Sequence, residues 1–150
     1  MKKNELISLL TREKICTPLQ IRGCSSTEVS ALEKRIGYAL PDSYREFLLA
    51  MGWGAGDFLR GTDIFYPHLE SLRGEAEALL KENSTKLPSP DESFIFSMHQ
   101  GYEFNFFVVN GHNDPPIWQY IEGDTSPQIT WISFDSFIIK CISDHLKIIV

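Results

Sequence analysis

Four histidines and three cysteines are the residues of this 150-residue chain best equipped for chemistry, and their spacing argues against it. His68, His99, His112 and His145 are scattered, with no HxxxH or HExxH spacing to set two imidazoles around one metal ion. Cys16, Cys24 and Cys141 are odd in number and contain no CxxC pair, so neither a disulfide framework nor a zinc knuckle is indicated. Three reduced thiols acting as small apolar groups are the simpler reading. Gly52, Gly54 and Gly56 surround Trp53 in a run that superficially resembles a nucleotide loop. They follow a helical pattern instead of a strand, so no βαβ geometry presents them to a pyrophosphate, and a turn needing positive φ explains them better. The one pair with catalytic character is His99 and Glu103, placed to face each other across a hairpin turn as base and orienting carboxylate. A surface ion pair beside the turn accounts for them more economically. No GxSxG elbow or P-loop is present. No catalytic residue, metal ligand or cofactor is assigned.

Residues suited to binding stand out more clearly. Trp53, Tyr102, Trp118 and Tyr120 fall at or near turns or on an outer strand face, and protein interfaces favour Trp and Tyr anchors within a polar rim. Asp57, Glu103, Asp114, Glu122 and Asp124 lie close to them in sequence. These nine are the candidate partner-binding residues. The chain carries 14 basic against 20 acidic residues, a net charge of −6. That balance argues against nonspecific nucleic-acid or anionic-membrane binding, which rests on a basic surface. A negative face that steers a basic protein partner fits it.

The elements that must position these residues follow from periodicity. At 150 residues the chain is expected to be one domain, 1–150, with its core at about 25–147. No apolar run reaches the ~18 residues that span a bilayer, and MKKNELISLL lacks a signal-peptide cleavage site, so the expected location is cytoplasmic. Leu6, Ile7, Leu9 and Leu10 predict a short amphipathic helix ending near Thr11. Ser25 with Glu28 is a capping-box signature. Val29, Leu32 and Ile36 then recur at helical spacing up to Gly37. Pro41 suits the first turn of the next helix, where Tyr44, Phe47, Leu48 and Met51 form one apolar stripe before Gly52. Residues 57–66 read as two short strands or one bent strand. Leu69 to Asn83 reads as a further helix, and NSTKLPSPDE as a loop.

From Ser93 the period changes to two. SFIFSMH places Phe94, Phe96 and Met98 on one face and Ile95 on the other. Gln100-Gly101 turns, and EFNFFVVN returns with Phe104 and Phe106 together. IWQYIE and QITWIS complete an antiparallel meander. A last helix opens at Ser133 or Asp135 and buries Phe134, Phe137, Ile138, Cys141 and Ile142. The fold class is α+β: N-terminal helices packed on an antiparallel β-meander closed by a C-terminal helix.

The order LE…IG…LPDSYREFLLAMGWG resembles the opening of the SUKH superfamily, which includes the yeast Smi/Knr regulators of cell-wall assembly and many bacterial immunity proteins. The stretch from Phe94 to Phe107 resembles that family's central hairpin, Pro116 to Glu122 its following strand, and Phe134 to Ile138 the start of its C-terminal helix. Asn110 stands near where many members carry an aspartate, and GWGAG replaces a simpler paired glycine. The resemblance implies an immunity protein that occupies a cognate toxin, its carboxylates meeting the cationic groups with which nuclease-type toxins hold phosphate. The alternative it implies is an intracellular scaffold or regulator of the Smi/Knr type with no toxin partner. Neither involves nucleic acid or membrane directly, and the oligomeric state stays open.

Overall fold

The computed structural model describes residues 1–149. The described residues form five α-helices and seven strands in the order α1 (Lys3–Arg12), β1 (Ile21–Arg22), α2 (Ser26–Ile36), α3 (Asp42–Met51), β2 (Gly54–Ala55), β3 (Thr62–Asp63), α4 (Leu69–Glu82), β4 (Ser93–His99), β5 (Glu103–Val108), β6 (Ile117–Ile121), β7 (Gln128–Trp131) and α5 (Phe134–Ile149). Strands β3 to β7 form one antiparallel sheet in sequence order, and β1 pairs with β2 in a separate small ladder. The α+β expectation holds.

Local signals act as their chemistry requires. The capping box forms, with Glu28 N–H donating to Ser25 Oγ at 3.1 Å and Ser25 N–H donating to Glu28 Oε1 at 2.8 Å. Gly37 closes α2 with φ of 87°, a conformation that a Cβ disfavours. Ser133 opens α5 by accepting from Ser136 N–H at 3.1 Å.

One irregularity re-aims the sheet. Ile95 pairs with Phe106 and Ser97 with Asn105, so Phe96 is an extra residue, a β-bulge. Its effect is to break the alternation read from the sequence. Met98 faces Phe104 across the strands and so joins Ile95 and Phe106, while Phe94 and Phe96 stay together on the opposite face. On that opposite face Phe94, Phe96 and Phe107 meet Tyr44 of α3 and Phe134 of α5, with ring centroids 5.3–5.9 Å apart. The other face, with Phe104, Phe106 and Tyr120 fully buried, lies under α4, which packs along β4. Asn83 at the end of α4 reaches the β6–β7 turn, accepting from Gly123 N–H at 3.2 Å. The sheet is thus covered on both sides.

Candidate partner-binding surface

The β4–β5 and β6–β7 turns lie at the same end of the sheet. There Thr62, His99, Glu103 and Ile121 form a single row across four strands. Neighbouring strands are about 4.8 Å apart, so the row extends roughly 14 Å. Its backbone is fixed by the turns: Gln100 and Gly101 take φ of 49° and 78°, and Glu122 N–H donates to Tyr102 O at 2.8 Å, tying one turn to the other. Asp124 folds its own turn back by accepting from Ile121 N–H at 3.2 Å. Tyr102, Glu122 and Asp124 stand exposed around the row, while Glu103 is half-buried and held by Gln119 Nε2 at 3.1 Å. Asp63, next to Thr62, adds a further carboxylate, with His68 Nδ1 at 3.9 Å.

Of the nine candidates, Tyr102, Glu103, Glu122 and Asp124 are therefore brought together. Trp53 and Asp57 belong to a second patch beside β2. Trp53 packs on Tyr66 at 5.3 Å and donates Nε1–H to the Glu28 carboxylate at 3.0 Å, and Asp57 is paired with Arg60. Asp114 sits in the loop between β5 and β6, where Oδ1 accepts from Asp135 N–H at 3.1 Å and caps the first turn of α5. Trp118 is half-buried, stacked on Phe106 at 5.7 Å. Tyr120 must be removed from the surface: it is 0% exposed, and its hydroxyl donates to Asp124 O at 2.9 Å. Because α4 covers that face of the sheet, the alternate residues of β6 point into a second core. Burial pushes the Tyr120 phenol up, and Asp124 and Glu122 add to the shift.

Sequence reasoning passed over Thr62, Gln119 and Ile121. Ile121, 36% exposed beside carboxylates on both sides, is the apolar member of the patch. Its signal was the phase of IWQYIE, which places it on the same face as Gln119 and Ile117.

His99 and Glu103 are each held by a partner other than the other. The two are cross-strand neighbours, yet His99 Nδ1 pairs with Thr62 Oγ1 at 2.9 Å and Glu103 turns to Gln119. Burial pushes the thiols of Cys24 and Cys141 up to about 12 and raises Cys16 as well, so all three stay protonated and poorly nucleophilic at neutral pH. Among the described residues no cluster of three or more His, Cys, Asp or Glu side chains is placed to hold a metal ion. No described helix is long and apolar enough to cross a membrane.

A family model described as SMI1-KNR4 cell-wall, SUKH_6, matches residues 26–138, from the first turn of α2 into α5. The chain belongs to the SUKH family. The matched span takes in the whole five-stranded sheet and both of the turns that build the acidic end. No curated protein matches the chain at a significant level.

The second patch of this SUKH protein carries a pH prediction. Hydrogen bonds from the Ser25 backbone and the Trp53 indole hold the Glu28 carboxyl below its ordinary value. A group depressed in the folded state contributes stability that is fully present above its unfolded pKa and is lost as pH falls through the folded value. Trp53 emission is therefore expected to shift to the red at the acid end of the carboxylate range. Glu28→Gln should abolish that step, and persistence of the step in the variant would assign it elsewhere.

Proposed function

We propose that this protein is an immunity protein that binds a cognate bacterial toxin and occludes its working surface, turning over no substrate itself. The observation that carries this reading is the grouping of Glu103, Glu122 and Asp124 with exposed Tyr102 and Ile121 at one end of the sheet. An aromatic and an aliphatic anchor beside carboxylates suit a basic protein surface such as the phosphate-holding cleft of a nuclease. Three free cysteines fit a reducing cytoplasm, where such a toxin acts.

Coexpression with the toxin encoded beside it tests the reading: growth should be restored, and continued killing with no complex on size exclusion would defeat it. Within the complex, the double change Glu103→Lys and Glu122→Lys is expected to weaken binding about tenfold to hundredfold, mostly through a slower, less salt-sensitive association. Unchanged affinity in a variant that melts like the parent would move the interface away from this end.

The cell-wall description of the matching family supports a second reading, a Smi/Knr-type scaffold with no toxin partner. A pull-down returning assembly or signalling proteins and no toxin would favour it.

A further inference from the structure

The far edge of the sheet has a different character from its acidic end. Strand β7 is the last in the strand order, so among the described residues no strand lies beside the backbone groups on its outer side. Gln128, Ile129 and Thr130 are exposed, Ile129 at 56%, and Ile132 just beyond is 84% exposed. Ile129 lies opposite Trp118, which is only half-buried, so the edge continues into an apolar strip on the adjoining face. Between Asp124 and Asp135 the sequence TSPQITWISF contains no charged residue, in a chain that is 23% charged. Natural sheet edges are usually guarded by Lys, by inward-pointing charge or by a covering element, because open backbone invites another strand. A bulge between Ile117 and Trp118 shortens the regular ladder here, but no charge stands guard.

We infer that β7 is a self-association edge, pairing antiparallel with β7 of a second copy of this chain to continue the sheet across a two-fold axis. Charge selects the occupant. Two copies, each of net charge −6, repel almost everywhere, and this neutral stretch lets them approach without setting like charges face to face. A basic toxin gains nothing from a neutral edge and is drawn instead to the carboxylates at the ends of β5 and β6. A two-fold contact also requires a strand that complements itself, which an uncharged strand with alternating Ile and Thr or Gln satisfies. The contact is short, so its population follows protein concentration by mass action.

Sedimentation equilibrium of the full chain tests the pairing. The weight-average mass should rise with concentration from 17.1 kDa toward twice that value, and amide exchange in β7 should slow over the same range. Ile129→Lys, at a position exposed enough to spare the core, sets two like charges together across the axis and should hold the mass at that of one chain with an unchanged melting temperature. Glu75→Lys, at an exposed position of α4, which packs along β4, should associate as the parent does. A parent that stays at one chain throughout, an Ile129→Lys variant that associates normally, or protection of β7 only when a different protein is added would each overturn the inference.

Discussion

Gly23→Ala is expected to cost about 3 to 5 kcal/mol, by adding overpacking to lost hydrogen bonds. A Cβ built at Gly23 lands 1.9 Å from the carbonyl oxygen of Leu49 and 2.8 Å from its carbon, both backbone atoms of α3. Neither partner has room to yield. Cys24 N–H donates to Leu48 O at 2.8 Å on one side of the glycine, and Trp53 N–H donates to Arg22 O at 2.8 Å on the other. Relief of the clash must lift the 21–24 segment away from α3, which breaks these bonds and the pairing of Ile21 with Ala55 and Arg22 with Gly54. Against a typical total stability of about 5 to 15 kcal/mol, such a loss leaves much of the population unfolded near physiological temperature. Urea titration measures it directly. The internal control is Gly74→Ala, in the exposed middle of α4 with nothing within 4 Å of the added carbon. There the same methyl should stabilise by about 0.5 to 1 kcal/mol through helix propensity. If Gly23→Ala shifts stability no further than a few tenths, the close approach of these two backbones is wrong.

Gly23 also marks where the sequence stopped being legible. The helix caps were open to reading because capping chemistry is local: Ser25 and Glu28 satisfy each other within one turn, and Gly37 needs only its own φ. A glycine required by a neighbour 26 positions away carries no such local signature. The same contrast separates the strands. The β4–β5 turn was visible from Gln100-Gly101, but the grouping of Tyr102 and Glu103 with Glu122 and Asp124 was not, because only the pairing of Glu103 with Ile121 sets the two turns side by side. The bulge at Phe96 was not visible, because SFIFSMH alternates cleanly as written and only the pairing with β5 shows that one residue has no opposite number. The two-residue ladder of β1 and β2 is held by α3 and its flanking turn, and two residues are too few to carry a period.

Tyr120 was misplaced for a reason of architecture. Reading β6 as a strand with one wet face assumed a sheet covered on one side. Helix α4, recognised as a helix, gave no indication in its own stripe of which surface it would cover. Once it lies on β4 and its end binds the β6–β7 turn, the wet face becomes a second core and Tyr120 is enclosed. Its hydroxyl then needed a partner, and the Asp124 carbonyl supplies it. The capping role of Asp114 was not legible for the same want of tertiary information: a carboxylate in a loop gives no local sign that it will meet the start of α5, 21 residues on.

Tyr44 lacks such a partner, and this makes it the sharpest test of the first core. Its ring touches Phe94, Phe107 and Phe134 at 5.3–5.4 Å and Phe96 and Phe47 at about 6 Å, so α3, α5 and the sheet all meet on it. Removing that ring in Tyr44→Ala should cost about 3 to 5 kcal/mol, the range for a large aromatic leaving a cavity that its neighbours fill only in part. The hydroxyl works in the other direction. It is fully buried with no hydrogen-bond partner among the described residues, and burial holds the phenol well above its ordinary pKa, so it stays neutral. An unsatisfied buried group costs about 1 to 3 kcal/mol of desolvation. Tyr44→Phe keeps every ring contact and deletes that cost, so it should raise stability by about 1 kcal/mol while leaving partner binding untouched, since the residue has no exposed surface. Equilibrium unfolding of the two variants separates the terms. A loss of more than about 1 kcal/mol in Tyr44→Phe would mean that the hydroxyl is bonded to a buried water, the usual companion of such a group, and that this core is organised around a polar contact as well as around packing.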